Sequence, residues 1–261
     1  MLQSKTKELF ILLFYQEFAG KYRSSILGLY WIVITPLFML TIYTFVFGYV
    51  FSIKWPGFAG SNLFEFSLIL YSGLVFYNTF SEVISRSPTI VIENSNYVNK
   101  VVFPLELLNV IASSSAIINL IINLILIIIF KFILFNQFNY EILYLLFILP
   151  SFALMILGIA WTLSAVGVFI RDFHHLVSSC VQGLLFLSPI FYPVSSLPQW
   201  LKPFIYLNPI TIPVEQARKV ILFNELPDLK ILILYGILSI TTSIIGYYIF
   251  IKAKKGFSDV I

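Results

Sequence analysis

The side chains best equipped for chemistry stand in the run Arg171-Asp172-Phe173-His174-His175 and at Lys21, Glu82 and Glu106. Two adjacent histidines beside an aspartate suggest a metal site. Neighbours on a helix project about 100° apart, however, and no other histidine exists in the chain, so the set falls short of the ligands a zinc ion takes. The expectation is a polar turn at the lipid surface and no metal. Gly20-Lys21 has the form of the end of a phosphate loop, but Tyr22 follows it and the earlier glycine is missing. No GxSxG elbow, HExxH motif or paired intramembrane carboxylate occurs. Cys180 is the single cysteine, which excludes an internal disulfide and a cysteine metal cluster. The chain reads as non-catalytic.

What positions these residues follows from composition. Of 261 residues, 59% are hydrophobic and 11% charged, against about 25% charged in soluble domains, so part of the surface must face hydrocarbon. A helix needs about 20 residues to cross the bilayer core. Charge-free or nearly charge-free runs place six spans at 24–53, 63–84, 107–130, 142–170, 176–194 and 231–251. An even number puts both termini on one face. Ten Lys and Arg fall on that face and six on the other, with Lys252, Lys254 and Lys255 beside the last span, so the termini are expected in the cytoplasm. The net charge of +4 is then a topology signal and implies no nucleic acid. No cleaved signal peptide is evident. The fold class expected is all-α integral membrane, one domain over 1–261.

Other segments have narrower roles. Residues 1–23 suggest an amphipathic helix at the cytoplasmic surface, ending at Lys21 and Arg23. Pro36 should kink or locally unwind the first span. The polar stretch from Arg86 to Pro104 is long enough for a short helix able to touch a soluble partner. Ser115, Asn119 and Asn123 recur every four residues and share one face of the third span, either packed on another helix or lining a wet pathway. Ala160, Ser164 and Gly167 give the fourth span a face that another helix can approach closely. Between Ser188 and Pro213 six prolines and five aromatic residues interrupt the chain. Two short helices fit there, too short to span: one with an apolar face of Leu197, Trp200, Leu201 and Phe204, one with Val214, Ala217 and Ile221. As re-entrant outer helices over 195–228 they would cap an exit.

Three stretches also carry a resemblance: KYRSSILGLYWIVITPL at the first span, YVNKVVFPLELL before the third, and SPIFYPVSSLPQWLKPFIYLNPITIPVEQARKVIL after the fifth. In order and spacing they resemble the membrane subunits of type-2 ABC exporters for polysaccharides, including O-antigen and teichoic-acid exporters. The resemblance implies a homodimer in the bacterial cytoplasmic membrane, served by two cytoplasmic ABC ATPase subunits that bind ATP and Mg; this chain would bind no cofactor. It implies an exported isoprenoid-diphosphate-linked polysaccharide, with membrane lipids around the channel. It also implies an ATPase interface at the N-terminal helix and the Arg86–Lys100 segment, to which Glu17, Lys21, Arg23, Arg86, Lys100, Arg171 and Asp172 are assigned. Pro193, Trp200, Tyr206 and Pro209 fall in the outer gate. Tyr30, Trp31, Tyr43 and Phe47 are channel candidates, since sugar C–H faces stack on aromatic rings, or else they face lipid; Ser115, Asn119 and Asn123 join them. Two rivals stand beside this: an ABC exporter of small lipids or drugs, and a membrane enzyme acting on lipid-linked sugars.

Overall fold

Helices account for all the regular structure of the computed structural model, which describes residues 2–21, 25–50, 63–98, 103–136 and 139–260. In chain order they are α1 (Leu2–Gly20), α2 (Trp31–Tyr43), α3 (Leu63–Arg86), α4 (Ile90–Glu93), α5 (Ser95–Val98), α6 (Glu106–Phe135), α7 (Leu145–Phe169), α8 (Phe173–Leu187), α9 (Lys202–Tyr206), α10 (Thr211–Arg218) and α11 (Leu229–Lys254). Among the described residues three stretches are long and apolar enough to cross a membrane: Glu106–Phe135, Tyr140–Phe169 and Leu229–Lys254. Trp31–Phe47 and Phe173–Leu187 are shorter apolar helices.

At the centre stands α3, buried on every side from Phe66 to Tyr77. It sees protein rather than lipid, so its polar groups find partners inside the bundle. Ser72 Oγ donates to the Ile69 carbonyl (2.7 Å), Thr79 Oγ1 to that of Val75 (2.9 Å) and Tyr77 Oη to that of Val181 in α8 (3.2 Å). Around it α6, α7, α8 and α10 complete the main core, where Phe76 meets Phe152 edge to face at 5.2 Å. A second core lies at the end of the bundle that holds the α3–α4 turn. There Ile90 and Val91 of α4 pack with Leu105, Trp161, Phe250 and Phe257.

Glycine sets the closest helix pairing. A Cβ on Gly246 of α11 would stand 2.1 Å from the carbonyl oxygen of Gly158 in α7, so only glycine lets these backbones touch. Ala160, Ser164 and Gly167 of α7 do form a close-approach face: a Cβ on Gly167 would meet the Pro88 carbonyl at 2.1 Å. Ser164 Oγ bonds with the Ser87 carbonyl (2.8 Å) and Asn109 Oδ1 (2.9 Å).

Several expected elements differ. The first span opens with a 3-10 turn at Gly28–Tyr30. Its α-helix runs through Pro36 unbroken and widens only beyond Tyr43, into π-helical turns at Thr44–Val50. Pro36 lies in the second turn, where the missing N–H removes a single bond to Ile32, and the helix absorbs that. The fifth apolar helix stops at Leu187 rather than Val194, because Ser188 precedes Pro189 and takes an extended conformation (φ −91°, ψ 148°). Helix α1 is not sorted into one apolar and one polar face. Phe10, Phe14 and Phe18 stack along its inner side while Ile11, Leu12 and Tyr15 are exposed on the outer side.

Candidate functional site: a charged end, an aromatic flank and a latched hairpin

One end of the bundle gathers the ionic contacts. Lys21, just past α1, pairs with Glu82 of α3 and donates to Ser115 Oγ of α6 at 3.1 Å. Arg86 at the end of α3 reaches back to Glu17 of α1 and forward to Glu93 of α4 (3.4 Å), whose other oxygen accepts from Thr89. Lys254 Nζ of α11 pairs with Glu106 at the start of α6 at 2.8 Å, and the Glu106 carbonyl accepts from Trp161 Nε1 at 3.1 Å. These bonds bind α1, the α3–α4 turn, α6 and α11 into one unit. They also engage the carboxylates of Glu82 and Glu106.

Glu17, Lys21 and Arg86 are thus brought together. Arg171 and Asp172 sit at the tight α7–α8 turn, exposed, and make no ion pair among the described residues. Arg23 and Lys100 lie outside the described residues. The His174 and His175 rings lie 3.7 Å apart, tilted by 39°, and no group of three metal-ligating side chains occurs among the described residues.

The α6 stripe packs inside the chain. Ser115 is fully buried against Lys21, and Asn123 Oδ1 accepts from Tyr71 Oη of α3 at 2.5 Å while its Nδ2 donates to the Asn119 carbonyl at 2.7 Å. Asn119 Oδ1 is buried without a hydrogen bond among the described residues. Tyr71 links this seam to the aromatic candidates. Tyr43 lies 6.5 Å from Tyr71 and 6.3 Å from Phe47; Phe47 lies 5.8 Å from Phe66 and 6.4 Å from Phe191, which stacks on Phe186 of α8 at 6.1 Å. Tyr43 and Phe47 therefore belong to an aromatic flank running from α2 to α8. Tyr30 and Trp31 stand apart from it, exposed, with Trp31 Nε1 bonded to Ser25 Oγ at 2.7 Å.

Beside that flank α8 shows an unusual face. Val177 and Val181 turn inward, whereas His175, Ser179 and Gln182 are exposed on the opposite side together with Phe186, and Leu176, Cys180, Gly183 and Leu187 are exposed on the flanks between. Polar side chains on a membrane helix call for something other than lipid.

The segment after α8 is a hairpin of short helices tied to the bundle. Pro193 caps a 3-10 turn, Val194–Ser196, and accepts from Ser196 Oγ at 2.8 Å. The Pro209 carbonyl accepts from Tyr235 of α11 at 2.9 Å. Val214, Ala217 and Ile221 are fully buried, as their spacing implies. In the first short helix the buried residue is Ile205; Phe204 is 65% exposed, because α9 has little more than one turn and presents a single side chain inward, and Trp200, in the turn before α9, is 70% exposed. Tyr206 bonds with Glu215. Burial pushes the Glu215 carboxyl up, against the opposing effects of Tyr206, Arg218 and Lys219. The Tyr206 phenol is pushed up to about 12, by burial first and then by Glu215.

From the sequence Arg218 is simply one of the six Lys and Arg expected on the outer face. In the fold it is 2% exposed and joins three elements: Nε donates to the Ile69 carbonyl (3.1 Å) and to Ser72 Oγ (3.3 Å) of α3, while Nη1 and Nη2 reach the carbonyls of Pro189 and Ile190 (2.9 Å for the latter), just past α8. Gly73 leaves room for it, since a Cβ there would stand 2.5 Å from Nη2. The signal in the sequence was an arginine four residues after Val214 and three before Ile221, on or near the face predicted to be buried.

These features define a multi-pass helical membrane protein with an ion-paired end and a latched hairpin. The chain belongs to the ABC-2 type transporter family, whose model matches residues 8–222. It is similar to the O-antigen export system permease protein RfbA of Klebsiella pneumoniae, 25% identical over 258 residues that cover 97% of this chain and 95% of that protein. It is also similar to the permease of that name from Myxococcus xanthus, 21% identical over 253 residues, 96% and 94% of the two chains.

Proposed function

We propose that this chain is the membrane subunit of an ATP-driven exporter that moves a lipid-linked (isoprenoid-diphosphate) polysaccharide across the bacterial inner membrane. Two copies form the channel, six spans each with both termini in the cytoplasm, and two separate ABC ATPase subunits hydrolyse ATP with Mg. The observation that carries this is the end-to-end similarity to O-antigen export permeases.

The geometry supports the reading at three places. The exposed polar face of α8 suits a second copy or an aqueous path, and the aromatic flank beside it offers rings to sugar faces. The ion-paired end, where α1 and the α3–α4 turn meet, is a rigid body on which an ATPase can act, with the exposed Arg171–Asp172 turn at the α7–α8 junction. The hairpin carrying Pro193, Trp200, Tyr206 and Pro209 would close the other end. Export of small lipids or drugs uses the same architecture and is separated by the cargo. A membrane enzyme is disfavoured, since Glu82 and Glu106 are both held in ion pairs.

Cys180, the one cysteine of the sequence, lies exposed on the flank of α8 beside that polar face, so the unaltered chain reports on the dimer. A flexible bismaleimide added to native membranes should yield covalent dimers, and the purified complex in inverted vesicles should take up lipid-linked polysaccharide only with ATP. Absence of dimers with maleimide-reactive Cys180 would refute the α8-lined channel; uptake of drugs or free lipid in place of glycan would refute the cargo.

A further inference from the structure

Two adjoining cavities open at the end of the bundle opposite the ion-paired one, the first between α2, α3 and α6, the second between α3, α6 and residues 222–224 just past α10. The first is a groove of about 660 Å³, within the usual range for small-molecule sites. Its walls are almost wholly apolar and include Leu40, Thr41, Phe45, Leu68, Phe130 and Leu134. Along α2 and its π-helical continuation it extends from Leu37 to Tyr49, about 18 Å at 1.5 Å per residue. That is about the depth of one leaflet, half of a hydrocarbon core of roughly 30 Å.

The second cavity, about 250 Å³, shares Leu68 with the first and is of different character. Glu65, Lys131 and Asn224 line it. Lys131 is 3% exposed and donates to Asn224 Oδ1, which Asn139 also approaches; Glu141 stands near the same ammonium. A built polar pocket thus sits at the headgroup end of an apolar trough one leaflet deep, and it carries charges of both signs.

We propose that this composite cavity is a binding site for one zwitterionic phospholipid per chain, with an acyl chain in the groove, the phosphate toward Lys131 and Asn224, and the head ammonium toward Glu65. Charge complementarity selects the occupant. A purely anionic head would meet Glu65 and Glu141 as well as Lys131, whereas a head carrying both a phosphate and an amine matches both signs. Thr41 and Phe45 are exposed on the outer wall, so a lipid can enter sideways from the bilayer. The inference requires only that the chain lie in a membrane, and it stands or falls apart from the export reading.

The test is native mass spectrometry of the purified, delipidated chain titrated with palmitoyl-oleoyl phosphatidylethanolamine or phosphatidylglycerol. One phosphatidylethanolamine per chain is expected, bound at least about fivefold more tightly than phosphatidylglycerol. Thr41→Trp, at the exposed wall, should fill the groove and weaken binding of either lipid about tenfold; Glu65→Gln should abolish the preference between them. Equal or better binding of phosphatidylglycerol to the unaltered chain would overturn the proposal, as would unchanged binding by Thr41→Trp. So would displacement of the phospholipid by equimolar polyprenyl diphosphate, which would assign the groove to cargo, or one lipid per two chains, which would make it a contact between copies.

Discussion

Replacing Arg218 with methionine keeps most of the side chain's volume and removes its donors. The carbonyls of Pro189 and Ile190 lie outside the regular helices and would lose the guanidinium, while the Ile69 carbonyl keeps its bond from Ser72 Oγ. An orphaned buried acceptor costs about 1–3 kcal/mol, so two cost about 2–6 kcal/mol. Relief of the desolvated charge offsets part of that, and Glu215, buried nearby, loses a compensating cation. A net loss of about 3 kcal/mol corresponds to a thermal midpoint lowered by roughly 6–12 °C for a chain of this size. Arg218→Lys keeps the charge but has one nitrogen where the guanidinium reaches two elements at once, and should lose about half as much. The contact with Gly73 gives a sharper check. Gly73→Ala pushes its Cβ against Nη2 and should destabilise the arginine form, yet do much less beside methionine, a coupling of about 1 kcal/mol. Melting of the parent, the three single variants and the Gly73→Ala/Arg218→Met double variant in detergent, followed by tryptophan fluorescence, reads all of this. Additive effects of the two substitutions, or a midpoint unchanged by Arg218→Met, would refute the latch.

Gly246→Val should abolish accumulation of folded protein in the membrane, because backbone faces its Cβ from Gly158 and cannot yield, whereas Gly236→Ala, with only Ser151 Oγ at 3.6 Å, should be tolerated; immunoblots of membrane fractions separate the two. Burial raises the Glu215 carboxyl, so the folded chain holds that proton more tightly than the unfolded one, and stability from this group is lowest above the raised folded pKa and grows as pH falls through it. Glu215→Gln should therefore melt above the parent at pH 8, with the gap closing toward pH 5; a lower midpoint at pH 8 would contradict this. Arg86→Glu should repel Glu17 and Glu93 and reduce co-purification with the ATPase subunit several-fold, and adding Glu17→Arg should restore part of it. Full co-purification of the single variant would remove this cluster from the coupling surface.

Much of the architecture was legible because lipid enforces simple rules. Apolar run lengths located α6, α7 and α11 to within a few residues, and the spacing of Val214, Ala217 and Ile221 foretold a buried face. Small residues at Ala160, Ser164 and Gly167 marked a close approach. Where expectation failed, the cause was local: the bilayer pattern does not tell which proline a helix can absorb, as at Pro36, or how late and short α9 is, starting only after Trp200 and leaving Phe204 outside.

By itself the sequence determined that the chain lives in a membrane and where its apolar runs begin and end, since both follow from the cost of placing a charge or an unpaired peptide group in hydrocarbon. Partners were decided only by the tertiary structure. Lys21 with Glu82, Arg86 with Glu17, Asn123 with Tyr71 and Arg218 with two carbonyls after α8 join residues between 28 and 69 positions apart. No periodicity encodes such pairings. They exist because a polar group shut away from water takes whichever partner the packing of the helices brings within reach.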